Sequence, residues 1–299
     1  MKKFVIISDT SCGLVKEERE KYGIECVNMY YCYDGNTVLA TIDWEDISAK
    51  EFYDLMRSGK KITSAQVSAS AYKEKFENAL AQGLDVLYLG TPVVLSNSVN
   101  VSYLVRDELQ KKYPDSKIIC MDTYSCMFGL GLMCIKAAEL RDTGNSVEET
   151  AEWLANHSQN FHQVGTVDKL EYLKRAGRVS ATSAFFGGLL NIKPIIICDV
   201  KGRNAAIEKV KGRKNSLNKM IEYFKENYIA GVCDQIYISH ADCLDEALEV
   251  KKMVEEVIGE DKTEIKIGYV VSTIGASVGP GMIGLYFYGK DITYDAEKK

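Results

Sequence analysis

Along the first half of the chain, continuous apolar runs alternate with charged amphipathic segments. "KFVIIS" leads through the loop "DTSCGL" into "VKEEREKYG", and "LDVLYLG" leads through "TPVVLSNS" into "VNVSYLVRDELQKKY". "SKIICMD" leads through "TYSCMFG" into "LGLMCIKAAELRDTG". Short runs that are apolar at successive positions predict strands buried on both faces, hence a parallel sheet covered by helices. Between the first two units, "DWEDISAKEFYDLMRSGKKITSAQVSASAYKEKFENALAQG" reads as two helices around the polar stretch Thr63 to Ser70.

The pattern changes across the polar segment "RDTGNSVEETAEWLANHSQN". Beyond it, "DKLEYLKRAG" predicts a helix framed by Asp168 as N-cap and Gly177 at its end. "KPIIICD" and "NAAIEKVKG" flank the turn "VKGR" with the spacing of an antiparallel hairpin. "NSLNKMIEYFKENY" and "CLDEALEVKKMVEEVIG" are amphipathic helices, with "DQIYISH", "TEIKIGYV" and "MIGLYFYG" as further strands. The small residues from Gly275 to Gly281 read as a turn between two apolar runs. The expected fold is α/β in two domains. Residues 1–155 form a Rossmann-like α/β/α domain on a parallel sheet, and residues 156–299 an α/β domain with a largely antiparallel sheet.

Composition narrows the function. A chain of 299 residues with a net charge of -5 is long enough for two domains and lacks the basic excess of a nucleic-acid binder. The first apolar run stops at Ser8 and Asp9, too short for a signal peptide, and "AFFGGLLNI" is about half the length of a membrane span. Nine cysteines without a CxxC pair suit small buried hydrophobes in a reducing cytoplasm. The expected location is therefore cytoplasmic, with at most transient membrane contact.

Catalytic motifs are missing. His157 and His162 do not share a helix face, so no metal site is expected; His240 is either a site residue or a strand-end polar group. "GLG" at 129–131 lacks the third glycine of a dinucleotide loop, and neither a GxxxxGK[ST] loop nor a GxSxG elbow occurs. No catalytic residue is assigned.

Three strand ends carry hydroxyl-rich loops: "DTS" at 9–11, "LSNS" at 95–98 and "DTYS" at 122–125. Ligands of parallel sheets sit beyond the carboxyl ends of strands, and helix N-termini there favour anions, although the same residues are ordinary helix caps. Arg175 and Arg178 flank a helix end. The apolar cluster Phe185, Phe186, Leu189, Leu190 and Ile192 is broken by Gly187 and Gly188, which admit either a ligand chain or a neighbouring backbone.

The segment "VDKLEYLKRAGRVSATSAFFGGLLNIKPII", followed by "IEKVKGRKNSL", resembles the signature of the DegV family of bacterial fatty-acid-binding proteins. "IISDTSCGL", "SAQVS", "VLSNSVNVS", "SCMFGLGLMCIKAAEL" and "TIGASVGPGMIGLYF" extend the resemblance over the chain. It implies a long-chain fatty acid buried between two domains, no cofactor, and a fatty acid kinase subunit as partner. That subunit would phosphorylate the bound carboxylate. Carried over, the carboxylate falls to Ser64 and Ser96, with Ser277 standing where kinase-linked relatives place a histidine. Phe186 and Ile192 belong to the pocket, and Gly279 and Gly281 to the closing turn. Arg178, Lys211 and Arg213 are candidates for phosphoryl or partner contact. The rival expectation is an enzyme acting on a small anion at the strand-end hydroxyl loops.

Overall fold

The computed structural model describes residues 3–180 and 191–298. β1 (Phe4–Asp9), α1 (Lys16–Tyr22) and β2 (Ile24–Val27) open the chain. β3 (Met29–Tyr33) and β4 (Asn36–Ala40) form a hairpin around Asp34 and Gly35, both at positive φ as a tight two-residue turn requires. After α2 (Ala49–Arg57), the short β5 (Thr63–Ala65) pairs with β3 and completes a small antiparallel sheet in the order β4-β3-β5. The stretch from Thr63 to Ser70 is therefore not a plain connector between helices. Its first residues are a strand, and Ser68 caps the next helix by accepting from Ala71 N at 3.2 Å.

That helix is α3 (Ala69–Ala81), followed by β6 (Asp85–Gly90), α4 (Ser98–Lys112) and β7 (Ile118–Asp122). The strands join in the parallel order β2-β1-β6-β7. Every residue of β1 and β6 is buried, as their largely apolar sequences require, the polar Ser8, Asp9 and Asp85 at the strand ends included. α5 (Phe128–Asp142) and α6 (Val147–His157) lead into the second sheet.

The second sheet contains β8 (Phe161–Thr166), then, beyond α7 (Leu170–Ala176), β9 (Val179–Ser180), β10 (Ile192–Cys198) and β11 (Asn204–Lys211). α8 (Arg213–Asn227), β12 (Gln235–His240), α9 (Leu244–Ile258), β13 (Glu264–Tyr269), α10 (Ser272–Val278) and β14 (Ile283–Tyr288) complete the chain. The order is β13-β12-β14-β8-β10-β11-β9. β12 with β13 and β11 with β9 are parallel, and the other pairs are antiparallel. β10 and β11 make the expected hairpin. The fold is thus α/β in two domains.

Two local expectations change. Asp168 is not the cap of α7; its carboxylate is held by Lys193 Nζ at 2.6 Å, and Lys169 precedes the helix without a side-chain cap. The segment read as a turn from Gly275 is largely the helix α10, and only Gly279 to Gly281 turn the chain. Glycine disfavours helices in isolation, so packing has to supply the stability here. At Gly275 a Cβ would lie 2.6 Å from Tyr53 Oη, so the missing side chain is what lets α10 settle on α2.

α5 is the layer shared by the two sheets. Every residue from Phe128 to Ile135 is buried, and the helix packs on β1 and β6 of one sheet and on β8, β12 and β14 of the other. A helix apolar on all sides has no face for water. Phe128 stacks on Tyr237 with ring centroids 4.5 Å apart and meets Tyr286 edge-on. Its Cζ would be 2.6 Å from a Cβ at Gly268. Removing the ring leaves a cavity at this junction. Phe128→Ala should cost about 3–5 kcal/mol in urea unfolding, and a cost below about 1 kcal/mol would contradict this role.

His162, on β8, is buried neutral. Its Nε2 lies 2.6 Å from Lys290 O and its Nδ1 2.9 Å from Tyr223 Oη, so Nε2 is the protonated nitrogen and Nδ1 accepts from tyrosine. Burial lowers its pKa to about 4, against about 6.5 when unfolded. The unfolded chain binds the extra proton first. The contribution is complete above about pH 6.5 and is lost as pH falls through the folded value, on the order of 3 kcal/mol. In acid unfolding, His162→Gln should be less pH-sensitive than wild type over that window; parallel profiles would refute the assignment.

Candidate functional site

Of the three hydroxyl loops, the one after β6 lines an open cleft. Thr10, after β1, is turned inward: its hydroxyl donates to Ala40 O at 2.8 Å and accepts from Met29 N at 2.9 Å, tying β1 to the small sheet. Ser11 bonds Asp9 and Thr91. After β7, Thr123 donates to Gly90 O at 2.8 Å, and Ser125 is buried. Ser11 and Thr123 thus brace the end of β6 and the start of its loop, Thr10 braces the small sheet, and the buried Ser125 hydroxyl has no hydrogen-bond partner among the described residues.

That loop is shaped by Pro92, whose carbonyl accepts from Leu95 N at 2.8 Å and Ser96 N at 3.0 Å. Asp122 at the end of β7 accepts from Val93 N at 3.2 Å. The β10–β11 turn presses on the same loop. Gly202 sits at φ +77°, where a Cβ would lie 2.8 Å from the Pro92 ring. The second domain therefore seats the loop that carries Ser96.

An open cleft of about 590 Å³ is lined by Ser64, Ala65 and Gln66 of β5 and its exit, by Val93 to Asn97, by Met29 and by Arg178. Ser64 lies opposite Tyr31 across the β5–β3 pair and is half-buried. Ser96 donates to Ser98 Oγ at 3.0 Å and accepts from Ser98 N at 3.3 Å. Arg178 enters from the second domain, is exposed, and donates to Ala176 O at 2.5 Å. Two hydroxyls, one guanidinium and the loop backbone are suited to an anionic oxygen group.

A second, smaller cavity of about 50 Å³ lies between the domains. Met127, Val164, Val167, Leu173, Val179, Ile196, Ile274, Val278, Met282 and Tyr286 give it largely apolar walls, with Gln163, Thr166 and Asn204 as polar members. Val179 borders this cavity, and the preceding Arg178 borders the open cleft. Sequence reasoning missed most of these wall residues. They are spread over six elements, and single apolar residues on strands carry no local sign of which cavity they face.

Ser277 lies on α10, half-buried, and is not among the residues lining the Ser64–Ser96 cleft. α10 itself packs on β5, β3 and α7, and its Ile274 and Val278 line the apolar cavity. Ile192 begins β10, half-buried, outside the described cavity walls. Phe186 lies outside the described residues. Lys211 is exposed at the end of β11. Arg213 is engaged: Nε and Nη2 each lie 2.8 Å from Glu246, and Nη2 donates to Gly281 O at 2.7 Å. Glu246 and Arg213 thus clamp the turn that follows α10. Among the described residues, no group of three His, Cys, Asp or Glu could hold a metal, and no helix is long and apolar enough to cross a membrane.

Gly279 and Gly281 are required by conformation. Both have positive φ, and a Cβ on Gly279 would lie 2.2 Å from the Tyr172 ring, on Gly281 2.7 Å from Asp168 Cβ. Gly279→Ala should destabilise by more than Gly144→Ala, which has φ +97° but open space around it. Positive φ alone costs about 1–2 kcal/mol. Equal losses in thermal unfolding would show that the Tyr172 contact imposes nothing.

Comparison with known proteins gives a consistent result. The model of the DegV family of uncharacterised proteins matches residues 3–290. A DegV domain-containing protein of Clostridium perfringens is 33% identical over 289 residues, covering 97% of this chain and 98% of that protein. A fatty-acid-binding DegV family protein from Thermus thermophilus has a similar structure, with a TM-score of 0.84 and 25% identity over 96% of this chain and 100% of that one. The Streptococcus pneumoniae fatty acid kinase B3 protein, loaded with linoleic acid, shares the fold with a TM-score of 0.81, 19% identity, and coverage of 96% and 100%.

Proposed function

The chain belongs to the DegV family, and on that premise we propose that it binds one long-chain fatty acid between its two domains, divided near residue 155. The carboxylate lies in the open cleft against Ser64, Ser96 and Arg178, and the acyl chain enters the apolar cavity beside Val179. The observation that carries this reading is that consecutive residues, Arg178 and Val179, line an anion-suited cleft and a largely apolar cavity.

The energetics are favourable. Roughly a dozen buried methylenes at about 0.8 kcal/mol each supply on the order of 10 kcal/mol before ordering costs. The cavity of about 50 Å³ is too small for such a chain as it stands, so side chains must yield. Met127 and Met282 in its wall are unbranched and can change rotamer at low cost. The carboxylate needs donors, because an unpaired buried charge would cost more than the chain's burial returns.

We further propose that the protein presents this carboxylate to a separate ATP-dependent kinase subunit and is not itself a catalyst. Arg178 and Lys211 are exposed cations at the cleft and at the end of β11, suited to phosphoryl or partner contact. Arg213, held by Glu246, acts on the closing turn. The rival reading, catalysis on a small anion, finds no nucleophile–base pair among the described residues lining the cleft.

Ser64→Ala and Ser96→Ala should each weaken palmitate binding by about tenfold, the worth of a hydrogen bond to a charged group, and weaken hexadecanol binding much less. Calorimetry with both ligands makes the comparison. Equal losses for acid and alcohol, or none for either, would remove the carboxylate from this cleft.

A further inference from the structure

We propose that the cavity between the domains favours an acyl chain carrying an oxygen partway along it, a mid-chain hydroxy fatty acid, with the Thr166 hydroxyl as its partner. This rests on the reading of the cavity as the acyl-chain site, and it names the class of fatty acid the cavity prefers.

Thr166 ends β8 and lines the cavity. It is fully buried, and its hydroxyl has no hydrogen-bond partner among the described residues. Across the strand pair it meets Ile283, whose side chain offers no polar atom. Buried side-chain hydroxyls are seldom left unpaired, and the cavity is the space from which a partner can come.

Two further polar side chains of the wall are held in place. Gln163 Oε1 accepts from Cys126 N at 3.4 Å and from Cys126 Sγ at 3.3 Å. Its Nε2 donates to Asn204 Oδ1 at 2.7 Å, and Asn204 Nδ2 donates to Arg178 O at 3.4 Å. A backbone N–H can only donate, so the Gln163 oxygen is the atom turned to Cys126 and the nitrogen is the atom turned to Asn204. Each amide nitrogen has two N–H groups and uses one of them in these bonds. The wall therefore combines apolar surface with a few neutral polar groups that have capacity to spare.

That combination suits an alcohol on the chain. Plain methylenes filling the cavity exclude water and leave the Thr166 hydroxyl buried with nothing to bond. A chain hydroxyl can donate to Thr166 or accept from it, and can accept from an amide N–H as well. A carboxylate does not belong here, because none of the described lining residues is cationic and a buried charge needs a partner.

The sheet order sets where along the chain the oxygen falls. Arg178 of the carboxylate cleft directly precedes β9, and the sheet runs β9-β11-β10-β8. Thr166 is thus three strand spacings, about 14 Å, from Val179. The chain reaches it well beyond its first carbons.

The test compares stearate with a series of monohydroxystearates, the hydroxyl moved stepwise along the chain, by calorimetry on wild type, Thr166→Val and Thr166→Ser. At a mid-chain position, wild type should bind the hydroxystearate about tenfold more tightly than stearate, with no gain when the hydroxyl lies beside the carboxylate. Thr166→Val puts a methyl where the hydroxyl was. It should erase the preference and bind stearate more tightly than wild type does, while Thr166→Ser should keep the preference. Stearate bound by wild type with no favoured position would overturn the proposal and leave the acyl-chain site standing. A preference that survives Thr166→Val, or a gain confined to the carbons beside the carboxylate, would also overturn it. Failure of wild type to bind stearate and every hydroxystearate would overturn the acyl-chain reading itself. Should Thr166→Val fail to fold, the wild-type series decides: a mid-chain optimum supports the proposal and a flat series refutes it.

Discussion

The structure depends on burying the first two turns of α5, which have no polar face. From Phe128 to Ile135 α5 carries nothing that water would solvate, so it must be enclosed on both sides. One sheet cannot do that. The parallel sheet takes one side through β1 and β6, and the mixed sheet takes the other through β8, β12 and β14. The domain seam is therefore a core, with dispersion and apolar burial at interior density. Polar contacts at its edges fix orientation: Tyr53 donates to Val270 O at 2.6 Å, and Lys266 meets the buried Glu18 at 2.8 Å.

A rigid seam explains why a site can be assembled from both domains. The Ser96 loop is built by the first sheet and pressed into place by the β10–β11 turn at Gly202 and Pro92. α10 belongs to the second domain in sequence but packs on β5 and β3 of the first. Arg178 and Val179 straddle the cleft and the apolar cavity. A fatty acid needs this combination, because its two ends require opposite environments only a few bonds apart. The seam supplies one from loops and the other from strand faces.

Much of this was legible in the sequence because burial on both faces leaves an unbroken apolar signal. β1, β6 and β7, the β10–β11 hairpin and the helix ending at Gly177 all follow from local pattern. The small sheet β4-β3-β5 does not, since β5 has three polar or small residues and exists through pairing with β3. α10 was hidden for a related reason. Its glycine and serine content opposes a helix locally, and its stability comes from Tyr53 and β5, far away in sequence. Asp168 looked like a cap, but the cation that claims it, Lys193, is 25 residues away. At the site, Ser64, Ser96 and Arg178 were nameable through family resemblance, and their meeting in one cleft required the fold.

The central claim, one long-chain fatty acid held between the domains, is tested most directly by native mass spectrometry of the purified protein, with fatty-acid analysis of the released ligand. The account predicts a single non-covalent adduct per chain with the mass of a long-chain acid, exchangeable for added palmitate. A bare chain mass that stays bare after palmitate is added would contradict it.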